Sequence, residues 1–494
     1  MTASESSLSG NENISGHVNR SLAWVGTASA AVAGLDMLAH FLIAALWISP
    51  EELGVAVYAI SLFPVLDLAT DLGLAAAIVQ RDDHTPSKLS TLFWLNLFMS
   101  LFLFALLAVG IGPLLVWIYD RPILASLLMV YGGKLLWQNI YYIPYSLMKK
   151  QLRFKELSLI RMLANVAEFA GKVTTAALGF GVWCYVVGPI SRVIVTGIGV
   201  QICHPWRPRF VLRIREAMDW VYFGIKASAY KILFYLYTNV DYHVVGYFFG
   251  EQASGLYYNA YLIVLEPCRF ISEVVQNIAF PVFSRLKNDR EGLIEQFTIL
   301  TRMNLVVILG FLGLLFVSAE DLLLLALGPE WTPAAPAVQI LCAVGVLRAL
   351  SFVIPPLLDG TNHVGRSLIY TVIAAVILPS MFFASAALLG DELGYLSVAW
   401  AWSVGYPIAF LALLLMGLDI LELPLAHYLR STGGIFAAAG VACGLGAGLQ
   451  YLTQPWPTGL RMALVMTTSL LVFGLLLARF EGITPRAVMR SMRK

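Results

Sequence analysis

Residues 89–118, LSTLFWLNLFMSLFLFALLAVGIGPLLVWI, lie between Lys88 and Asp120 and contain no charged side chain. As a helix rising about 1.5 Å per residue, this stretch is long enough for the roughly 30 Å of hydrocarbon in a bilayer. A helix satisfies each backbone N–H and C=O within the segment, as lipid requires, so this continuous apolar stretch reads as a membrane-spanning helix. The rest of the chain has the same character. Of 494 residues, 59% are hydrophobic and 13% charged, and the mean hydropathy is +0.78. Soluble domains carry about 25% charged residues. A soluble protein this apolar could not cover its surface, so the bilayer is the solvent.

Windows of about 20 apolar residues place spans near 22–48, 53–79, 89–118, 123–147, 157–180 and 182–202. A second set falls near 219–249, 254–283, 297–319, 335–358, 367–389 and 393–416, with two more near 432–452 and 458–478. The expected fold is an all-α polytopic membrane protein of about fourteen transmembrane helices.

Charge orients them. Loops after even-numbered spans hold Arg81 and Lys88, then Lys149, Lys150, Arg153 and Lys155, then Arg207, Arg209, Arg213 and Arg215. Arg285, Lys287, Arg290, Arg366 and Arg430 follow, and the tail carries Arg479, Arg486, Arg490, Arg493 and Lys494. Opposite loops hold only Arg121 and Arg461 beside many acids. The positive-inside rule then places both termini in the cytoplasm, which requires an even number of spans. The polar residues 1–21 lack a basic region ahead of a short apolar one, so they read as a cytosolic tail.

The two halves echo each other. Asp36, Gly54, Ala59, Pro64 and Arg81 have counterparts in Asp241, Gly255, Ala260, Pro267 and Arg285, and Ile143-Pro144 is matched by Ile354-Pro355. The repeat implies an N-lobe of six helices over 22–216, a C-lobe of six over 217–416, a helix pair within 417–478 and a basic tail at 479–494. Parallel six-helix repeats place a cavity between two lobes and suit alternating access.

Charges inside spans are costly, about 2.5–3.5 kcal/mol each at a helix centre, so they mark protein-facing or water-filled surfaces. Arg161, Asn165, Glu168 and Lys172 share one helical face, as do Lys134, Gln138, Tyr141 and Tyr145, and Glu266, Arg269, Glu273 and Asn277. Asp36 pairs in register with His40, and Asp67 with Asp71. One reading makes Glu168–Lys172 and Glu266–Arg269 ion pairs that set helix packing. The other lines a hydrated cavity with Lys134, Arg192, Lys231, Arg269 and Arg348, which would bind an anionic substrate. Asp36, Glu168, Asp241 and Glu266 are then the candidate coupling sites for a proton or sodium gradient. Arg161, Lys226 and Arg302 lie near cytoplasmic ends, where such side chains snorkel. Trp47, Trp117, Trp206, Trp220, Trp331 and Trp456 fall near span ends and read as interfacial belts.

Other chemistries lack their residues. No GxxxxGK[ST] occurs, so ATP hydrolysis is not expected. The five cysteines are scattered without a metal-ligand or disulfide spacing, no catalytic triad is recognisable, and no cofactor or metal is indicated. A net charge of +2 gives no basic field for nucleic acid.

The run NVDYHVVGYFFG (239–250), GLYYNAY (255–261), the mid-helix Pro267 and FPVFSRL (280–286) resemble helices seven and eight of the polysaccharide transport proteins. These Wzx-like proteins belong to the multidrug/oligosaccharidyl-lipid/polysaccharide flippase superfamily. GPEWTPAAP (328–336) and LRFKELS (152–158) fit the same pattern, and the resemblance is strongest over 220–345. It implies two six-helix lobes with an added helix pair in a bacterial inner membrane. It also implies movement of undecaprenyl-pyrophosphate-linked oligosaccharide for O-antigen, capsule or exopolysaccharide assembly, beside polymerase and chain-length proteins. The alternative is a cation-coupled drug or small-molecule antiporter of the same superfamily, which the central lysines and arginines disfavour. A membrane enzyme would need a sizeable outer loop with catalytic groups, and the longest here, near 320–334, is short and aliphatic.

Overall fold

The computed structural model describes residue 32 and residues 34–483 apart from 72 and 82, with the backbone alone described at 76, 226, 227, 229 and 230. The tail 1–21, the side chain of Lys226 and the basic residues 486, 490, 493 and 494 lie outside the described residues. Helices carry almost all the rest, and no strand occurs among the described residues.

The first unit, up to Tyr235, holds α1 (Gly34–Leu46), α2 (Pro50–Ile60), α3 (Phe63–Asp71), α4 (Leu74–Gln80) and α5 (Pro86–Ala105). A π-helical turn, Leu106–Ile111, then leads into α6 (Gly112–Tyr119), followed by α7 (Ile123–Lys150), α8 (Phe154–Ala177) and α9 (Cys184–Cys203). Helix α10 (Ile214–Arg285) runs on into the second unit and breaks at Gly250, whose φ of 82° and ψ of −172° are not helical. The second unit, from Leu236, adds α11 (Arg290–Ala326), α12 (Ala335–Ser351), α13 (Ile354–Gly360), α14 (Val364–Leu393), α15 (Leu396–Leu421), α16 (Leu425–Leu452) and α17 (Thr458–Phe480).

Local chemistry sets where these helices begin. Ser49 and Glu52 form a reciprocal capping box ahead of α2, with Pro50 in the first turn. Thr85 caps α5 by accepting from Lys88 N at 3.2 Å, and Asp289 caps α11 by accepting from Gly292 N at 3.0 Å. The second expected span is broken twice, at Ser61–Leu62 and at Gly73. Gly73 has a φ of 67°, and a Cβ there would meet the Gly224 carbonyl at 2.1 Å, so both space and conformation require glycine.

Nine helical stretches among the described residues are long and apolar enough to cross a membrane. They are Pro50–Asp71, Pro86–Tyr119, Gly181–Cys203, Arg290–Ala326, Pro329–Gly360, Val364–Leu393, Leu396–Leu421, Leu425–Leu452 and Thr458–Phe480. The chain is a multi-pass membrane protein. The other five expected spans fall on α1, which is described over only 13 residues, and on α7, α8 and the two arms of α10, which carry more polar groups.

Within the first unit α7 is the hub, touching α2, α4, α5, α6 and α9, while α8 pairs with α9. In the second, α11 packs against α12, α16 and α17, and α14 against α15. Lipid supplies no hydrophobic drive between helices, so close approach and polar contacts must hold them together. Asn139 does this for α7 and α5, accepting from Asn96 Nδ2 at 2.7 Å and donating to Ser100 Oγ at 2.6 Å.

Two sequence expectations change here. Trp220 and Trp331 are fully buried, at 0% and 1% exposure, and serve as core residues rather than belt residues. Trp117 stays 80% exposed. The Ile-Pro echo is not locally equivalent either: Pro144 sits inside α7, whereas Pro355 opens α13. Proline fits a first helical turn without losing a bond, but inside a helix it removes one.

Candidate functional site

In the first unit, α1, α3, α7, α8 and α9 bring six charged side chains together. Lys134 on α7 is buried and donates to both oxygens of Asp67 on α3, at 2.7 and 2.8 Å. Tyr131, one turn earlier on α7, donates to Asp67 at 3.0 Å and accepts from Lys134 at 2.7 Å. The Tyr131 ring stacks on Phe63, with centroids 3.4 Å apart, which holds α3 against α7. Beside this group, Glu168 on α8 meets Lys172 at 2.9 Å, and Lys172 reaches Asp36 on α1 at 3.5 Å.

Arg192 on α9 approaches Glu168 Oε2 at 3.0 Å without hydrogen-bond geometry, so it is the more loosely held partner. Two glycines make these contacts possible. A Cβ on Gly188 would lie 2.4 Å from Lys172 Cγ, and one on Gly171 would lie 2.7 Å from Ser191 Oγ. Arg192 follows Gly188 by one turn, so the glycine contact brings its guanidinium to Glu168. Acids and bases balance: Asp36, Asp67 and Glu168 stand against Lys134, Lys172 and Arg192. Lys134 and Glu168 are almost fully enclosed, while 37% of the Arg192 side chain is accessible.

The second unit holds a different arrangement. Asp241, on the first arm of α10, is completely buried and accepts from Trp402 Nε1 at 2.9 Å, Tyr257 OH at 2.8 Å and Tyr242 N at 3.0 Å. Three donors fix that carboxylate. Arg348 on α12 donates to Tyr261 OH, and its guanidinium lies 5.5 Å from the Tyr261 ring centre and 5.3 Å from that of Trp402. Among the described residues no carboxylate pairs with Arg348. A cation held by ring faces and a hydroxyl keeps its charge available to an anion.

The structure therefore sorts the residues singled out from sequence. Lys134, Arg192, Asp36 and Glu168 share the first cluster, and Arg348 and Asp241 share the second. Arg269 and Glu266 form a pair along α10: Arg269 meets Glu266 at 2.7 Å and Glu273 at 3.0 Å. Lys231 is exposed on the first arm of α10, with no carboxylate at ion-pair distance among the described residues.

Asp67, Tyr131 and Trp402 complete the clusters and were not among the candidate site residues. Asp67 and Asp71 share a face, but their roles diverge. Asp71 Oδ1 accepts from Ala75 N at 3.2 Å and bridges the break at Gly73, while Asp67 pairs with Lys134. No cluster of three or more metal-ligating side chains occurs among the described residues.

Residues 43–336, more than half of the chain, match the family described as polysaccharide biosynthesis protein. The chain belongs to that family. Its relatives include the teichuronic acid biosynthesis protein TuaB of Bacillus subtilis (strain 168), 28% identical over 434 residues that cover 86% of this chain and 88% of TuaB. The lipopolysaccharide biosynthesis protein WzxC of Escherichia coli (strain K12) is 27% identical, with 76% and 77% covered. Among solved structures, the lipid II flippase MurJ in an inward closed conformation superposes with a TM-score of 0.72 at 16% identity, covering 92% of this chain and 98% of that one. An inward-facing multidrug resistance MATE family transporter gives 0.61 at 17%, covering 80% and 94%. At these identities the likeness to the solved structures is one of fold.

Proposed function

We propose that this protein is a flippase that moves undecaprenyl-pyrophosphate-linked oligosaccharide units from the inner to the outer leaflet of a bacterial cytoplasmic membrane. The glycan would feed O-antigen, capsule or exopolysaccharide assembly. The observation that carries this reading is the family match over 43–336, in a multi-pass membrane chain whose helices bring charged side chains together. Relatives in the same family are named for teichuronic acid and lipopolysaccharide biosynthesis.

In this reading the chain has fourteen spans, grouped six, six and two, with both termini cytoplasmic, and works by alternating access. In the first unit pyrophosphate competes with Glu168 for the accessible guanidinium of Arg192; in the second, Arg348 has no carboxylate partner among the described residues to displace. Bidentate arginine–phosphate contacts are strong and directional. The chain hydrolyses no ATP, and an ion gradient drives the cycle. Polymerase and chain-length proteins are the expected partners downstream.

The experiment is complementation of a deletion strain, read as surface glycan and as lipid-linked oligosaccharide retained on the inner leaflet. Arg192→Glu, Lys231→Glu and Arg348→Glu should each abolish or strongly reduce surface glycan at normal expression. Full assembly by all three variants would remove the cationic path. Drug export without any change in surface glycan would instead favour the antiporter that the MATE-like fold also allows.

A further inference from the structure

The segment 204–213, HPWRPRFVLR, joins α9 to α10 without helix or strand and continues into Ile214 and Arg215. It does not hang free. Arg209 N donates to Ser90 Oγ at 3.0 Å, Arg213 N to Thr91 Oγ1 at 3.0 Å, and Trp94 Nε1 to the Arg209 carbonyl at 2.9 Å. These bonds hold the backbone along the first turns of α5, about 6 to 12 Å from its start at Pro86. The exposed apolar surface of α5 begins one turn further, at Phe98, which is 52% exposed. The segment is thereby held beside the polar first turns of α5, ahead of its exposed apolar surface.

Its side chains suit that position. Phe210 is 92% exposed and stacks on Trp94, with centroids 5.3 Å apart, and Leu212 and Ile214 are also exposed. Arg207, Arg209, Arg213 and Arg215 alternate with them and are exposed as well. Among the described residues only Arg213 has a carboxylate partner, Glu216 at 3.1 Å.

We propose that this strip is a binding site for anionic phospholipid in the leaflet it faces. Phe210, Leu212 and Ile214 enter the acyl boundary while the arginines take lipid phosphates. Exposed apolar and aromatic side chains interleaved with bases are the composition that seats on anionic interfaces. None of its residues belongs to either charged cluster, and its test does not depend on transport.

The test is native mass spectrometry of the purified protein from mixed micelles of equimolar phosphatidylglycerol and phosphatidylcholine. The wild type should retain phosphatidylglycerol in preference by tenfold or more. Each arginine removed should weaken the preference by up to about fivefold, the value of one basic residue near an anionic surface. Arg207→Gln/Arg209→Gln/Arg213→Gln/Arg215→Gln should bring the two lipids near parity. Lys155→Gln/Arg285→Gln/Lys287→Gln/Arg430→Gln, which removes the same charge elsewhere, should leave the preference intact.

Raising salt should shrink the preference, and Phe210→Ser should lower retention of both lipids. Equal loss in the two quadruple variants, or an unchanged preference in the first, overturns the proposal. Should the first variant misfold, Arg207→Glu/Arg209→Glu carries the same test, because neither side chain makes an ion pair among the described residues.

Discussion

At the scale of single residues, the contact that tests packing against transport is Lys134–Asp67. Lys134 is enclosed and Asp67 is about one-third exposed, so solvent relieves part of the roughly 3–5 kcal/mol that breaking a buried pair costs. Lys134→Met should lower the thermal unfolding midpoint in detergent, and Asp67→Asn/Lys134→Met should recover much of the loss. Surface glycan should not recover with it, because the cation is gone. Recovery of both would reduce the pair to a packing device. Of these charges, Glu168–Lys172 was legible in the sequence, since a spacing of four puts both on one helical face. Asp67–Lys134 was not: the two are separated by a helix break and another span, and spacing does not report which distant helices meet. Arg269 carried two readings in the sequence, a cavity cation or an ion pair with Glu266, and in the structure its charge is met by Glu266 and Glu273 on its own helix.

At the scale of elements, the C-terminal pair α16 and α17 is fastened to α11 at both ends. Near one end Arg302 donates to Glu481 at 2.7 Å and to the Ser431 carbonyl at 2.7 Å. Near the other, the fully buried Asp321 takes Arg461 and Gln450, each with a bond of 2.9 Å. Arg302 and Asp321 are 19 residues apart along α11, about 28 Å, close to the thickness of the hydrocarbon layer. The polar contacts thus sit near the two surfaces and leave apolar packing between. Arg302→Ala/Asp321→Ala should raise hydrogen exchange across 425–480 while leaving α7–α9 as protected as before. Unchanged exchange in the pair would show that apolar packing alone holds it. The existence of these helices could be read from their apolar runs. Their attachment to α11 could not, because Arg302 looked like a snorkelling side chain and Arg461 like an outlier in an outer loop.

At the scale of the whole molecule, the proposed cycle makes a prediction about energy. If carboxylates such as Asp36 and Glu168 take part in coupling, collapsing the proton and sodium gradients together should halt glycan delivery in cells whose ATP is maintained. Delivery that continues at full rate would leave those residues as packing partners only. Composition and hydropathy by themselves determined that the chain is helical and embedded in the bilayer, because continuous apolar runs of about 20 residues suit helices, which satisfy their backbone groups within the segment. The tertiary structure decided which charges remain available. It matched Lys134, Arg192 and Arg269 to acids, placed Arg348 among aromatic rings with no acid partner among the described residues, and turned Trp220 and Trp331 inward. Those outcomes depend on contacts between helices far apart in the chain, set by glycine spacing and side-chain fit. Hydropathy reports where a helix is stable, while the partner of a buried charge is chosen only when the helices pack.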